Sequence, residues 1–173
     1  FDGLAANMVA AADHSAVAMV KLVLQHFPGF RDCTTYRGSE VHLYKRAQIL
    51  VGDVWAAYGR STDPAHKYSF HDLQEITMFA DYRVPQILRH MGVMRYSPEL
   101  AERIDSLGEI PKDSEEEVEI RAATVIAVER LQKSLEKHGR SLLSLEVDWL
   151  LWQWGEAIKD TILPHHRTMT TFY

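Results

Sequence analysis

The chain has 173 residues, with 19 Lys+Arg against 24 Asp+Glu, and a formal charge of −5. That length suits one compact domain spanning 1–173, and 46% hydrophobic residues with 10% aromatics supply a core, which excludes a disordered chain. No apolar run reaches the roughly 18–20 residues that cross a bilayer, no signal segment opens the chain, and a mildly acidic balance without a basic block argues against stable nucleic-acid binding. Cys33 is alone, so no internal disulfide forms, and a reducing, cytoplasmic setting fits best. An opening Phe1 suggests a fragment or a processed product.

Helical spacing dominates the chain. Val20, Val23, Leu24 and Phe27 form one buried helical face, stopped by Pro28-Gly29. A second helix is expected from about Val41 to Tyr58, with Ala47, Leu50, Val51, Val54 and Tyr58 on one stripe and Gly59 as terminator. Arg60 to Tyr68 reads as a loop. Asp72 caps a short helix to about Phe79. Another begins near Tyr82, with Pro85 in its first turn, and stops at Gly92. Ser97-Pro98-Glu99 starts a helix closing at about Leu107, and Gly108 to Asp113 is a loop. Ser114-Glu115-Glu116-Glu117 reads as a capping box. It opens the longest helix, to about His138, with Val118, Ala122, Val125, Ile126 and Leu135 inward. A last helix runs from about Leu145 to Ile158, and Pro164 ends any continuation. No segment alternates at period two. The expectation is an all-α fold of about seven helices.

Three segments carry chemistry-bearing residues. In Tyr44-Lys45-Arg46-Ala47-Gln48 two cations open an apolar helix. There they either meet an anion at the positive helix end or snorkel to water. In Thr77 to Gln86, Asp81 sits in a break between helices, flanked by Phe79 and Tyr82 and followed by Arg83. It is either an N-cap or a carboxylate at a pocket mouth, and the two aromatics either stack on a flat ligand or belong to the core. In Leu145 to Trp152, Asp148 is embedded among Leu, Val and Trp. If buried, it must be paired, protonated or ligand-bound; on the solvent face it carries no function. Glu117 and Arg121 form an i, i+4 pair of a few tenths of a kcal/mol, roughly. Spacing leaves the tail from His165 to Tyr173 unassigned. The histidines show no metal-ligand spacing, adjacent His165 and His166 are poorly placed to share an ion, and no GxGxxG, P-loop or catalytic-thiol motif is present.

Several runs together resemble the queuosine salvage proteins, the family of queuosine 5′-phosphate N-glycosylases. They are Phe27-Pro28-Gly29-Phe30-Arg31-Asp32, Tyr44-Lys45-Arg46-Ala47-Gln48-Ile49-Leu50-Val51, Thr77-Met78-Phe79-Ala80-Asp81-Tyr82-Arg83-Val84-Pro85-Gln86, Glu117-Val118-Glu119-Ile120-Arg121, Asp148 to Trp152 and His166 to Tyr173. They occur in the family's order over nearly the whole chain. Family members are longer, so the chain resembles their C-terminal portion. The resemblance implies a helical fold akin to helix-hairpin-helix DNA glycosylases. It implies hydrolysis of the N-glycosidic bond of queuosine 5′-phosphate, releasing queuine for tRNA modification, with no metal or organic cofactor.

Queuine is a 7-deazaguanine and lacks the N7 that purine glycosidases protonate, so help for the leaving base must come from its pyrimidine edge. A carboxylate must stabilise the oxocarbenium-like ribose or activate water. On the matching positions, Asp81 takes that task and Asp148 reads the base edge. Lys45 holds the 5′-phosphate, helped by Arg167 or Tyr173, and Phe79 or Trp152 stacks on the base with Tyr82 beside it. Arg83 holds Asp81 or meets the substrate. Two other readings compete: a glycosylase acting on damaged DNA, which requires a basic face, and a non-catalytic helical binding module in which Asp81 is a cap and Asp148 lies on the surface.

Overall fold

A computed structural model describes residues 1–173. Seven α-helices carry the fold: α1 (Ala5–Ala11), α2 (Ala16–His26), α3 (Lys45–Ala57), α4 (Arg83–His90), α5 (Pro98–Asp105), α6 (Glu115–Lys137) and α7 (Ser144–Ile158). None is long and apolar enough to cross a membrane. The number matches the expectation, but the membership does not. Helix α1 has no counterpart in the sequence reading, and the expected helix from Asp72 to Phe79 is a single 3₁₀ turn, Leu73–Glu75, followed by extended chain.

The reason is a side chain committed elsewhere. Asp72 makes no side-chain cap to its own turn. Its carboxylate caps α2 instead, accepting from the Ala16 N–H at 2.5 Å and the Ser15 hydroxyl at 2.7 Å. Further along, the Thr77 N–H donates to Gln48 on α3 at 2.9 Å, and the Phe79 N–H donates to Asp148 on α7 at 3.0 Å. With these donors satisfied by distant side chains, the buried stretch needs no helical ladder of its own.

The all-α expectation also misses a β-hairpin, β1 (Cys33–Tyr36) paired antiparallel with β2 (Ser39–His42). Arg37 and Gly38 both have positive φ, 48° and 82°, the conformation a two-residue hairpin turn needs. The hairpin occupies the start of the expected 41–58 helix and delays α3 to Lys45. Its tip reaches α6, where Arg37 pairs with Glu115 at 2.8 Å.

Cap chemistry fixes the later helices as anticipated. Ser97 accepts from the Leu100 N–H, with Pro98 in the first helical turn, and Ser114 accepts from the Glu117 N–H. The capping box is only half made, because the Glu117 carboxylate is drawn to the Asp113 N–H and to Arg121. On α6, Val118 is buried, whereas Ile126 is 50% exposed and does not face inward.

Two large apolar clusters form. One joins α1, α2 and α3 through Met8, Met19, Val23, Val51 and Trp55; the other joins α4, α6 and α7 through Val84, Ile87, Leu88, Val128 and Leu151. The extended stretch stitches them: Ile76 and Phe79 enter the first, Met78 and Ala80 the second. Helix α7 straddles the same seam, with Leu145 in the first and Val147 in the second. Asp81 and Asp148 lie where the clusters meet.

Candidate active site

Lys45 stands at the first position of α3, and Ile49 and Asp53 follow at helical spacing along the same face. Across from them, the extended stretch ends in Asp81, whose Oδ1 accepts from the Arg83 and Val84 N–H groups, each at 3.0 Å. This is an N-terminal cap of α4, so the cap and pocket readings of Asp81 are both realised. Asp148 projects from α7, 3% exposed, with Oδ2 accepting from the Phe79 N–H. Lys45, Asp81 and Asp148 line one cavity of about 390 Å³ together with Ile49, Asp53, Phe79, Trp149 and Trp152. That is within the range of about 300–1,000 Å³ usual for small-molecule sites. Gly52 makes the inner wall possible: a Cβ there would stand 3.1 Å from the Phe79 ring and 3.5 Å from Trp149.

The charges are unequal. Burial raises the pKa of Asp81, while the two N–H groups and Lys45 oppose that shift. Burial, reinforced by the Asp81 charge, pushes Asp148 up to about 8. Two nearby carboxylates resist double ionisation. Asp81, with two backbone donors against one, is the better anion, and Asp148 holds the proton at neutral pH. Lys45 has a pKa lowered by burial, against the pull of Asp81 and Asp148. The cavity can therefore present an anion, a proton donor and an ammonium to one ligand.

The anion site expected at the start of α3 is already filled from within. The carboxylate of Asp32 accepts the Lys45 N–H at 3.1 Å. Arg46 is engaged too, donating to the Thr171 carbonyl and lying over Phe30. Only the Lys45 side chain is left to meet a ligand anion; it also lines an adjoining groove with Arg46 and Tyr173.

Of the residues expected from sequence, Lys45, Phe79, Asp81, Asp148 and Trp152 share this cavity. Trp152 is 42% exposed at the mouth, whereas Phe79 is buried against Trp149. Arg83 does not reach it: its guanidinium is buried, paired with Glu156 at 2.6 Å and bonded to Gln86. It touches Asp81 only through its backbone N–H. Tyr82 and Arg167 line a different cavity of about 400 Å³ with His165, His166 and Tyr173. Arg167 is therefore not beside Lys45. Tyr173 is, through the groove, but its hydroxyl is committed to Glu117 at 2.7 Å. His166 is 1% exposed with neither ring nitrogen bonded, and burial drives its pKa down to about 3.

Sequence reading missed Ile49, Asp53 and Trp149 as wall residues. Their signal was positional: Ile49 and Asp53 follow Lys45 at i+4 and i+8, and Trp149 adjoins Asp148. The expected Glu117–Arg121 pair forms at 3.3 Å, but it is buried, and Arg121 also forks onto Asp32, a partner that local spacing does not show.

Two acids, an ammonium and an aromatic wall thus surround one hollow in a mostly helical protein. Comparison with known proteins gives its family. Residues 1–173 match the family described as queuosine salvage protein, and the chain belongs to that family. It is 50% identical over 173 residues to the queuosine 5′-phosphate N-glycosylase/hydrolase of Sphaerobacter thermophilus and 50% identical over 174 residues to that of Dictyostelium discoideum. Identity to the Bos taurus protein of the same name is 36% over 183 residues. Each alignment covers all of this chain but 52%, 53% and 52% of the relative, so the chain spans about half the length of the curated relatives it matches.

Proposed function

We propose that residues 1–173 form one domain that hydrolyses the N-glycosidic bond of queuosine 5′-phosphate and releases queuine. The observation that carries the reading is the convergence of Asp81, Asp148 and Lys45 on one aromatic-walled cavity; the names of the relatives supply the substrate. Asp81, the better anion, faces the ribose, stabilises positive charge at C1′ and accepts a proton from the attacking water. The C1′–N bond breaks with its electron pair leaving on the base, and protonated Asp148 donates to that base. This alters the role expected from sequence, where Asp148 only accepted from the base edge: at neutral pH its free oxygen is a donor. Both protons then equilibrate with solvent, Asp81 losing one and Asp148 regaining one. Lys45 holds the 5′-phosphate at the groove beside the cavity, and Trp152 at the mouth stacks on the deazapurine.

The chemistry needs no metal, the fold is taken to be of the helix-hairpin-helix glycosylase kind, and a reducing cytoplasmic setting is supported by the lone, free Cys33. A DNA-acting glycosylase is disfavoured by the charge of −5. A binding module with Asp148 on the surface is disfavoured by its 3% exposure. Incubation with queuosine 5′-phosphate, followed by chromatography for queuine, tests the reading, with adenosine and guanosine monophosphates as controls. Queuine should appear with the wild-type protein and not with Asp81→Asn. Undiminished release by that folded variant would remove Asp81 from the chemistry.

A further inference from the structure

We propose that Arg121 is a positioning residue, a buried clamp that sets the spacing between Lys45 and Asp81 across the cavity. The inference rests on the catalytic reading of that cavity. Arg121 does not line the cavity. Its guanidinium is 3% exposed and reaches in two directions. Toward α3, Nη1 and Nη2 grip the two oxygens of Asp32 at 3.0 and 2.5 Å. Asp32 in turn receives the Lys45 N–H on its carboxylate at 3.1 Å, and the Leu43 and Tyr44 N–H groups on its carbonyl at 3.0 Å each. Toward α4, Nε donates to the Ala80 carbonyl at 3.1 Å, one peptide before Asp81. A single planar group thus ties the root of the ammonium to the root of the carboxylate.

Gln48 on α3 also takes the Thr77 N–H at 2.9 Å, four residues before Asp81, but Arg121 acts at the peptide groups adjoining Lys45 and Asp81 themselves. Lys45 forms no ion pair with Asp81 or Asp148. Helix α3 packs in the first core, whereas the stretch leading to Asp81 alternates, Phe79 in the first and Ala80 in the second. The clamp is held from behind. Glu117 accepts from Nη1 at 3.3 Å and from the Tyr173 hydroxyl at 2.7 Å, while the Tyr173 ring lies 4.7 Å from the guanidinium carbon. Buried ion pairs often add no stability over an apolar replacement, so a cluster of this size is better explained by the geometry it fixes. A lysine keeps the charge but not the three fanned N–H directions.

Arg121→Lys and Asp32→Asn test the clamp, the second keeping an oxygen for the Lys45 N–H and serving if the first fails to fold. Misplacing reacting groups by about 1 Å costs about 100-fold. We therefore expect kcat on queuosine 5′-phosphate to fall about 30- to 100-fold in Arg121→Lys and about 10-fold in Asp32→Asn, with KM within about threefold of wild type. The double variant should lose no more than the worse single one. A second readout needs no turnover: the carboxyl NMR titration of Asp148, which shares its cavity with Asp81, Lys45 and Asp53, should move by about 0.5 or more in Arg121→Lys. Folded variants with kcat within about twofold of wild type and an unmoved Asp148 titration would overturn the clamp. A wild-type protein that releases no queuine, but whose Asp148 titration still moves in the variant, would sink the catalytic reading and leave the clamp standing.

Discussion

Two clusters in this protein each set two buried carboxylates around one cation, and they have opposite character. Around Arg121, both acids touch the guanidinium directly, Asp32 at 2.5 Å and Glu117 at 3.3 Å, and further donors occupy their remaining oxygens. Around Lys45, buried Asp81 and Asp148 share a cavity with the ammonium, with exposed Asp53 also lining it and no direct pair, and Asp148 is driven to hold a proton. The closed cluster spends its charges on fixing peptide groups. The open one leaves an oxygen on each acid and an ammonium free for a ligand. Burial alone therefore does not leave an acid open to a ligand in this fold; unsatisfied bonding capacity facing a hollow does.

The largest expected effect breaks the open cluster at its anion. Asp81→Asn should lower kcat on queuosine 5′-phosphate by about 1,000-fold with KM changed less than about threefold, read by single-turnover chromatography, because an amide still caps α4 but carries no charge. Next, Asp148→Asn should cost about 100-fold in kcat. In the wild type the rate should fall as pH rises through about 8, where Asp148 loses its proton, and that alkaline limb should vanish in the variant. Persistence of the limb would assign the titration to another group. Lys45→Ala should raise KM about 30-fold for the phosphorylated substrate and less than about threefold for queuosine itself. Equal losses on both would refute the phosphate role.

Stability against pH sharpens the same contrast. Asp148 has a folded pKa raised from 3.8 to about 8, so its contribution is fully present below about 3.8 and is lost as pH rises through about 8. Urea titrations should show the wild type losing stability over that window, on the order of a few kcal/mol at most, and Asp148→Asn losing less. His166 runs the other way. Its pKa is lowered from 6.5 to about 3, so its contribution is complete above 6.5 and is lost as pH falls toward about 3, and His166→Phe should blunt that acid loss. The smallest effect lies at the surface: Arg37→Ala removes an exposed pair between the hairpin and α6 and should leave the thermal midpoint unchanged.

Much of this was legible in the linear chain wherever the controlling interaction is local. Ser97 and Ser114 announced α5 and α6 because a cap bonds within three residues. The apolar spacing in Leu145 to Trp152 announced α7 and flagged Asp148 as an acid with too few polar neighbours. Asp81 stood out as a carboxylate in a helix break. The family runs singled out Lys45, Asp81 and Asp148 together, and the three line one cavity although they are far apart in the chain.

What waited for the tertiary structure was everything decided by partners distant in sequence. Asp72 looks like the cap of its own turn and caps α2 from 57 residues away. The stretch carrying Phe79 and Asp81 has enough apolar residues for a helix, yet runs extended because Gln48 and Asp148, 29 and 69 residues away, take its N–H groups. Arg121 reads as the i, i+4 partner of Glu117 until Asp32, 89 residues off, is found in its fork. Periodicity and capping are encoded within a few residues of one another, so they can be read in order. The satisfaction of a buried donor, and which of two acids keeps its proton, depend on which distant groups the folded chain brings within a bond length.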